Sequence, residues 1–410
     1  MGERQAGSLQ VAGSNPAGST LKEMKNMINL IFLIFFIFCA TEGAFLQKEV
    51  SEESKEEARH LYARAMAYLS QKKYDVAIPL LEDAKKKDPY FVEIYVALGN
   101  AYIGIKDTLN ARKAFLQVTQ LAPKDKRGYQ GLGFLDGFYL REYKKGVSWY
   151  KKAYQIDEND LNNLLMIARL YEKFDKDSAD FYYRKLLTLN PEEPEGLKRY
   201  LTFLVDNKRY DEAVPYAERA IEKLSNDELV MESAFKVYIQ MGKAEKAIEI
   251  ANGLIKKDSN NYIYYLMRGG AYASLNRYEE ALGDYNRAES LNPNSVGVHV
   301  RKAMLYIDLK NYSKALEEGK KAIELGPKTE EIQAATYYVI AESYKGIALS
   351  YENKKDWDNA LKTWENAKEW YTRTYSLGDT PYREYAKKMI EYSQKKWEKV
   401  KRIKLGISEG

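Results

Sequence analysis

The chain has 410 residues, a net charge of +5, 45% hydrophobic and 30% charged residues, 35 tyrosines against 13 phenylalanines, one cysteine and two histidines. Mixed charge on a chain nearly half apolar describes a packed core under a wet surface, and does not by itself suggest a nucleic-acid binder. A lone cysteine excludes an internal disulfide, and His60 and His299, far apart and without cysteine partners, form no metal-ligand pattern, so both read as solvated or packed side chains.

Residues 1–23 are rich in Gly, Ser and Ala and show no periodicity. They read as upstream sequence ahead of a true start at Met24 or Met27, or else as a disordered tail. In residues 24–45, Lys25 precedes an uncharged apolar run from Leu30 to Phe38, and small residues follow at Ala40, Thr41, Gly43 and Ala44. A basic start, a short apolar centre and a small-residue exit describe a secretory signal, whereas a spanning helix needs about 20 apolar residues. Two alternatives stay open: an uncleaved anchor over residues 27–45, and a lipid on Cys39, although Phe36, Ile37 and Phe38 lack the small residues of a lipoprotein site. Cleavage would leave a cysteine-free protein, which fits a periplasmic helical chain. Residues 46–57 are polar and read as a tether.

From about Ala58 the chain repeats itself. The clearest copy, Tyr262 to Ser295, predicts a helix from about Tyr262 to Leu275 and a second from about Tyr278 to Leu291. Small Gly269 and Ala281 let the two approach, Tyr265, Tyr272 and Tyr285 fill the flanks, and Asn292-Pro293 ends the pair. The residue equivalent to Ala281 recurs as Ala77, Ala111, Gly146, Ala179, Ala213, Ala247, Ala281, Ala315 and Ala360, at steps of 34, 35, 33, 34, 34, 34, 34 and 45. Repeat three therefore has one extra residue, expected in its turn near Leu140, and repeat four is one short. Repeats five and six place Leu201 and Phe235 where a small residue is expected, which predicts an altered helix crossing there. The last step adds eleven residues, three helical turns nearly in phase, and predicts a long helix over about Glu330 to Tyr351, followed by one around Trp357 to Tyr375. After Gly378 and Pro381, residues 381–405 predict a final helix with a charged outer side that caps the array, with Tyr382, Tyr385, Met389, Val400 and Ile403 on its apolar face.

A period near 34 with paired small residues, aromatics and a proline is the tetratricopeptide signature. It is carried best by Leu98-Gly99, Tyr102, Ala111, Phe115 and Pro123, by Gly269, Tyr272, Ala281, Tyr285, Ala288 and Pro293, and by Ala303, Tyr306, Ala315, Ala322 and Pro327. The chain resembles that family over residues 58–376, about nine repeats. The resemblance implies an all-α fold, a right-handed superhelical solenoid of antiparallel hairpins whose concave side, lined by first helices, holds ligand. Its groove positions fall here on Arg59, Tyr62 and Met66; on Val96, Asn100 and Ile103; and on Gln130, Phe134 and Phe138. Further along they fall on Leu165, Arg169 and Glu172, on Lys198 and Thr202, on Glu232 and Lys236, on Leu266 and Ala273, and on Val300, Met304 and Ile307. That is an apolar groove at both ends with a charged middle, suited to a peptide or partner helix.

Catalytic patterns are missing. Gly131, Gly133 and Gly137 lie inside a helical hairpin and not between a strand and a helix, so they read as packing and not as a phosphate loop. Nucleophile-elbow and triad patterns are absent, no cofactor or metal is expected, and the array consumes nearly all residues after the leader. Glu93, Glu172, Glu195 and Glu232 in the groove argue against nucleic acid. The C-terminal lysines could meet anionic lipid, a reading ranked below capping because Glu384, Glu391 and Glu398 interrupt them. The sequence thus reads as a non-catalytic protein-binding adaptor of the cell envelope, or alternatively as an intracellular scaffold with a membrane anchor; it does not set the oligomeric state.

Overall fold

The computed structural model describes residues 50–407, so the leader, the signal or anchor segment with Cys39, and the first residues of the tether lie outside it. Among the described residues there is no strand, and no helix is long and apolar enough to cross a membrane. The chain divides into two units between Glu158 and Asn159. The first holds three helical hairpins: α1 (Glu52–Ser70) with α2 (Tyr74–Lys87), α3 (Val92–Gly104) with α4 (Thr108–Leu121), and α5 (Lys126–Phe134) with α6 (Tyr143–Ile156). The second holds six more: α7 (Leu161–Tyr171) with α8 (Lys176–Leu189), α9 (Pro194–Asp206) with α10 (Tyr210–Leu224), α11 (Glu228–Gln240) with α12 (Ala244–Lys257), α13 (Tyr262–Ser274) with α14 (Tyr278–Leu291), α15 (Val296–Asp308) with α16 (Tyr312–Glu324), and α17 (Glu330–Asn353) with α18 (Trp357–Ser376). A last helix, α19 (Arg383–Lys404), packs on α18.

The small residue at the head of each second helix is the packing constant. Ala77, Ala111, Ala179, Ala213, Ala247, Ala281, Ala315 and Ala360 are all fully buried, and Gly146 is buried too. At Gly269 a methyl group would stand 2.6 Å from the Tyr285 ring and 3.2 Å from the Ala281 carbonyl oxygen, so the hairpin closes only around hydrogen. Side-chain oxygens start many of the helices: Asp107, Asp160 and Asp227 each accept the amide three residues on.

Two local expectations need correction, and a third, the short repeat four, gains its form. The tether read over 46–57 ends at Ser51, which caps α1 by accepting the Ser54 amide; Glu52 and Glu53 then favour the positive end of that helix. The extra residue of repeat three is not in the turn but wound into the end of the first helix, where Leu135–Tyr139 forms one π-helical turn closed by the Leu140 amide donating to the Leu135 carbonyl at 2.9 Å. The missing residue of repeat four has a specific identity. Among the described residues the other eight hairpins turn through one left-handed residue: Lys72, Lys106, Arg141, Lys208, Gly242, Asn276, Lys310 and Lys355. In repeat four the chain passes from Tyr171 to Asp175 without it, and the Asp175 amide donates straight back to the Tyr171 carbonyl at 2.8 Å.

Candidate functional site

In the first unit the structure gathers Val96, Asn100 and Ile103 of α3 and Gln130 and Phe134 of α5 around one hollow of about 460 Å³. Their spacing brings them there, because positions three, four and seven apart share a helix face. Phe115 of α4 forms the floor. Its ring fits only because Gly99 and Gly131 carry no side chain: a methyl at Gly99 would stand 2.5 Å from it, and one at Gly131 would overlap it. Phe134 is 41% exposed at the rim and stacks at a tilt 6.0 Å from Phe138. Met66 of α1 is also 41% exposed, Arg59 is exposed, and Tyr62 is half-buried with its ring 5.2 Å from Phe91. Burial, with the Glu93 charge adding to it, pushes the Tyr62 hydroxyl up from its ordinary value.

Sequence reasoning missed Phe115, Arg127, Gly131 and Tyr150 as walls of this hollow. The glycine pair one repeat apart, facing a phenylalanine, was the available signal. Arg127 is held in place by Asp125 and Glu93, its guanidinium donating to Glu93 at 3.2 Å, and these carboxylates, Asp125 first, hold it charged. Within the π-helical turn, buried Asp136 accepts from the Arg112 guanidinium at 3.1 Å and from the Trp149 indole at 2.9 Å, which fixes the wider turn that carries Phe138.

The second unit treats its predicted face differently. Leu165 and Val300 are buried core residues. Lys198, expected to offer a charge to ligand, is half-buried and donates to Asp227, the N-cap of α11, at 2.6 Å. Burial raises the Asp227 carboxyl, but Lys198 and the Val230 amide outweigh it and hold the group below its usual range. Thr202 donates to the Lys198 carbonyl, and Glu172 accepts from the Tyr183 hydroxyl. Arg169 is half-buried with Nη1 3.6 Å from the Met166 sulfur. Lys236 stays exposed; one turn before it, burial pushes the Glu232 carboxyl up, Glu228 adding to the effect and Lys236 opposing it. Leu266 packs against the cluster of Tyr265, Ala288 and Val298, while Met304 and Ile307 pack on the cluster of Val300, Ala303 and Val339 that Tyr338 and Tyr382 also join. Ala273 and Met304 of the predicted face meet in a shallow hollow of about 220 Å³ that also takes in Arg301 and Asp308.

Among the described residues, one cluster has metal-ligating types: atoms of Glu289, His299 and Glu318 lie within 4.8 Å of one another. The Lys302 ammonium sits among them, 2.6 Å from Glu289 and 3.2 Å from Glu318, while His299 Nδ1 lies 2.7 Å from Glu318. Lys302, with the Lys321 ammonium 3.6 Å from Glu318, already supplies the positive charge a metal would bring, and the cluster reads as a self-neutralised polar core.

Family models described as tetratricopeptide repeats match residues 62–126 and 163–192, and one described as anaphase-promoting complex, cyclosome, subunit 3 matches residues 240–322. With nine hairpins of two helices at this period, the assignment is decided. The chain belongs to the tetratricopeptide repeat family. Among curated proteins, this tetratricopeptide repeat protein is similar to human Superkiller complex protein 3, 21% identical over 266 residues that cover 63% of this chain and 17% of that one. It is also similar to the Hsp70-Hsp90 organising protein of Plasmodium falciparum, 24% identical over 306 residues, covering 64% and 52%. The chain thus spans only about half or less of the length of these relatives. Among solved structures, PilW, a type IV pilus biogenesis factor, matches with 18% identity and a TM-score of 0.43 over 52% of this chain and 96% of that one. A tetratricopeptide repeat protein of Parabacteroides merdae matches with 17% identity and a TM-score of 0.42 over 62% and 98%.

Proposed function

We propose that this tetratricopeptide repeat protein is a non-catalytic scaffold that binds an extended peptide or partner helix on the first helices of its repeats. The observation that carries the reading is the hollow of repeats two and three, where Val96, Ile103 and Phe134 offer an apolar seat beside the Asn100 amide and the Arg127 guanidinium. An apolar side chain of the partner would fill the seat and supply affinity, while the polar pair at its rim would fix chain direction. Lys236 and Arg169 remain candidate orienting charges, and Lys198 contributes only by keeping α9 and α11 together. The curated relatives carry the names of a complex member and an organiser of chaperones, which supports a role in holding proteins together. We place the site of action in the cell envelope on the strength of residues 24–45 alone; retention of residues 27–45 as an anchor would instead make the chain a membrane-tethered intracellular scaffold. The reading takes no cofactor, metal or nucleic acid.

A photocrosslinking residue placed at Phe134 in the full chain tests the seat. Adducts to a discrete protein should form there, and Asn100→Ala with Arg127→Ala should reduce their yield about tenfold or more. Phe181 on α8 is 58% exposed and outside the hollow, so the same residue placed there is the control. Equal adducts at both positions would defeat the groove assignment, and the N-terminal mass of the purified chain separates a cleaved from a retained leader.

A further inference from the structure

Helix α19 carries nine basic and three acidic residues, a net charge of +6, while the whole chain carries +5. The positive balance of the molecule therefore resides on one helix, and everything else sums to about neutral. Capping does not require this. The inner side of α19 does the capping: Ala386 and Val400 are fully buried and Met389, Ile390 and Trp397 pack against the cluster around Trp364 and Tyr371. Lys396 is engaged with Glu352 at 3.1 Å, and Lys404 with Asp358.

The outer side is a different surface. At 100° per residue, Lys388, Lys395, Lys399 and Arg402 fall within an arc of about 60°, a stripe about 21 Å long. Glu384 falls in the same arc one turn before Lys388, and Glu391 and Glu398 border it, but residues 395–404 hold six cations and one carboxylate. Where the stripe ends, the chain exposes aliphatic side chains: Ile403 at 41%, Leu405 at 60% and Ile407 at 51%, around a hollow of about 580 Å³ shared with Trp397 and Lys401. Exposed aliphatic residues contiguous with dense positive charge form a composite that neither water nor a nucleic acid satisfies, because aliphatic groups cannot stack on bases. A bilayer satisfies both parts. Its anionic headgroups meet the cations, its acyl boundary takes the aliphatic tip, and tyrosine and tryptophan suit the level between.

We propose that the outer face of α19 and the tip that follows it dock on an anionic lipid surface. The inference is independent of the groove on the first helices. The full chain is tested by co-sedimentation with phosphatidylcholine vesicles with and without phosphatidylglycerol; the neutral vesicles set the baseline due to the apolar leader. Wild type should bind the anionic vesicles well above that baseline. Lys388→Gln, Lys395→Gln and Arg402→Gln together should lower the difference about a hundredfold, since each cation near such a surface is worth about fivefold. Leu405→Ser with Ile407→Ser should weaken binding to the same vesicles while the salt dependence persists. Thermal melts matching wild type establish that both variants are folded. Equal binding to both vesicle types, or a triple variant that binds as wild type does, overturns the proposal. So does a serine variant at full strength, or displacement from the vesicles by a single-stranded oligonucleotide at equal charge, which would reassign the stripe to polyanions at large.

Discussion

Repeats two and eight occupy the same positions in the pattern and use them oppositely. Val96, Asn100 and Ile103 of α3 correspond, six repeats on, to Val300, Met304 and Ile307 of α15. In repeat two these residues border an open hollow, because Gly99 and Gly131 give up volume and Phe115 packs flat beneath them. In repeat eight the same face is largely taken up by the chain's own packing: Val300 is buried, Met304 and Ile307 are half-buried on an apolar cluster that Tyr338 of α17 and Tyr382, stacked 4.7 Å apart, also join, and Met304 reaches only a shallow hollow of about 220 Å³. The interiors differ as well. Leu98 in repeat two is answered by Lys302 in repeat eight, and Ala114 by Glu318. A groove position in a repeat array is thus decided by what its neighbours bring, not by its own residue type.

The strongest way to break the comparison is to remove the charge that makes the interior of repeat eight unlike that of repeat two. Lys302→Met leaves Glu318 buried beside Glu289 without its main cation, and should cost about 3–5 kcal/mol. Restoring the repeat-two pattern with Lys302→Leu and Glu318→Ala together should recover most of that loss; chemical denaturation measures both. The pH profile sharpens it. Burial acts to raise Glu318, but His299, Lys302 and Lys321 prevail and lower it, so its stabilising share is present above the ordinary value of 4.5 and fades as pH falls through the lowered one. Lys302 is also opposed by burial yet raised on balance by Glu289 and Glu318, so its share holds up to the ordinary 10.5 and fades as pH rises through the raised value. The double variant should lose both shoulders.

At the open end the corresponding change is Gly131→Val. The added side chain overlaps the Phe115 ring, which must tilt into the hollow, at a cost of about 1–3 kcal/mol by denaturation. Crosslinking from position 134 should fall with it, because the seat is filled from below. A variant that loses stability yet keeps its crosslink would show that the partner does not use the seat.

The repeat register was legible because a small residue every 34 positions can mean little else in a helical chain, and all nine positions are buried. The long α17 was legible because eleven residues preserve helical phase. The predicted face was legible only in part. Helical spacing identifies which residues share a side, but not whether a later tyrosine such as Tyr382 returns to the apolar cluster beneath them, nor that Lys198 finds Asp227 twenty-nine residues on. One-residue changes in repeat length showed in the spacing, but their form did not. A gained residue entered as a π-helical turn where Asp136 could be neutralised, and a lost one removed the left-handed turn residue.

That turn residue supplies the smallest expected effect. Lys310 has φ 55, and its geometry is fixed on both sides: its own amide donates to the Ile307 carbonyl at 2.9 Å and the Asn311 amide to the Tyr306 carbonyl at 2.8 Å. A side chain in that conformation costs about 1–2 kcal/mol, and glycine avoids the cost at the price of about 0.5–1 kcal/mol of extra freedom in the unfolded chain. Lys310→Gly should therefore stabilise by about 0.5–1 kcal/mol, read as a small rise in the denaturation midpoint. Repeat six already has glycine there, Gly242 at φ 68, so Gly242→Lys should lose a like amount. Lys173→Gly in repeat four should show no gain, because that hairpin turns without a left-handed residue; a gain there equal to that at Lys310 would mean that the benefit is not conformational.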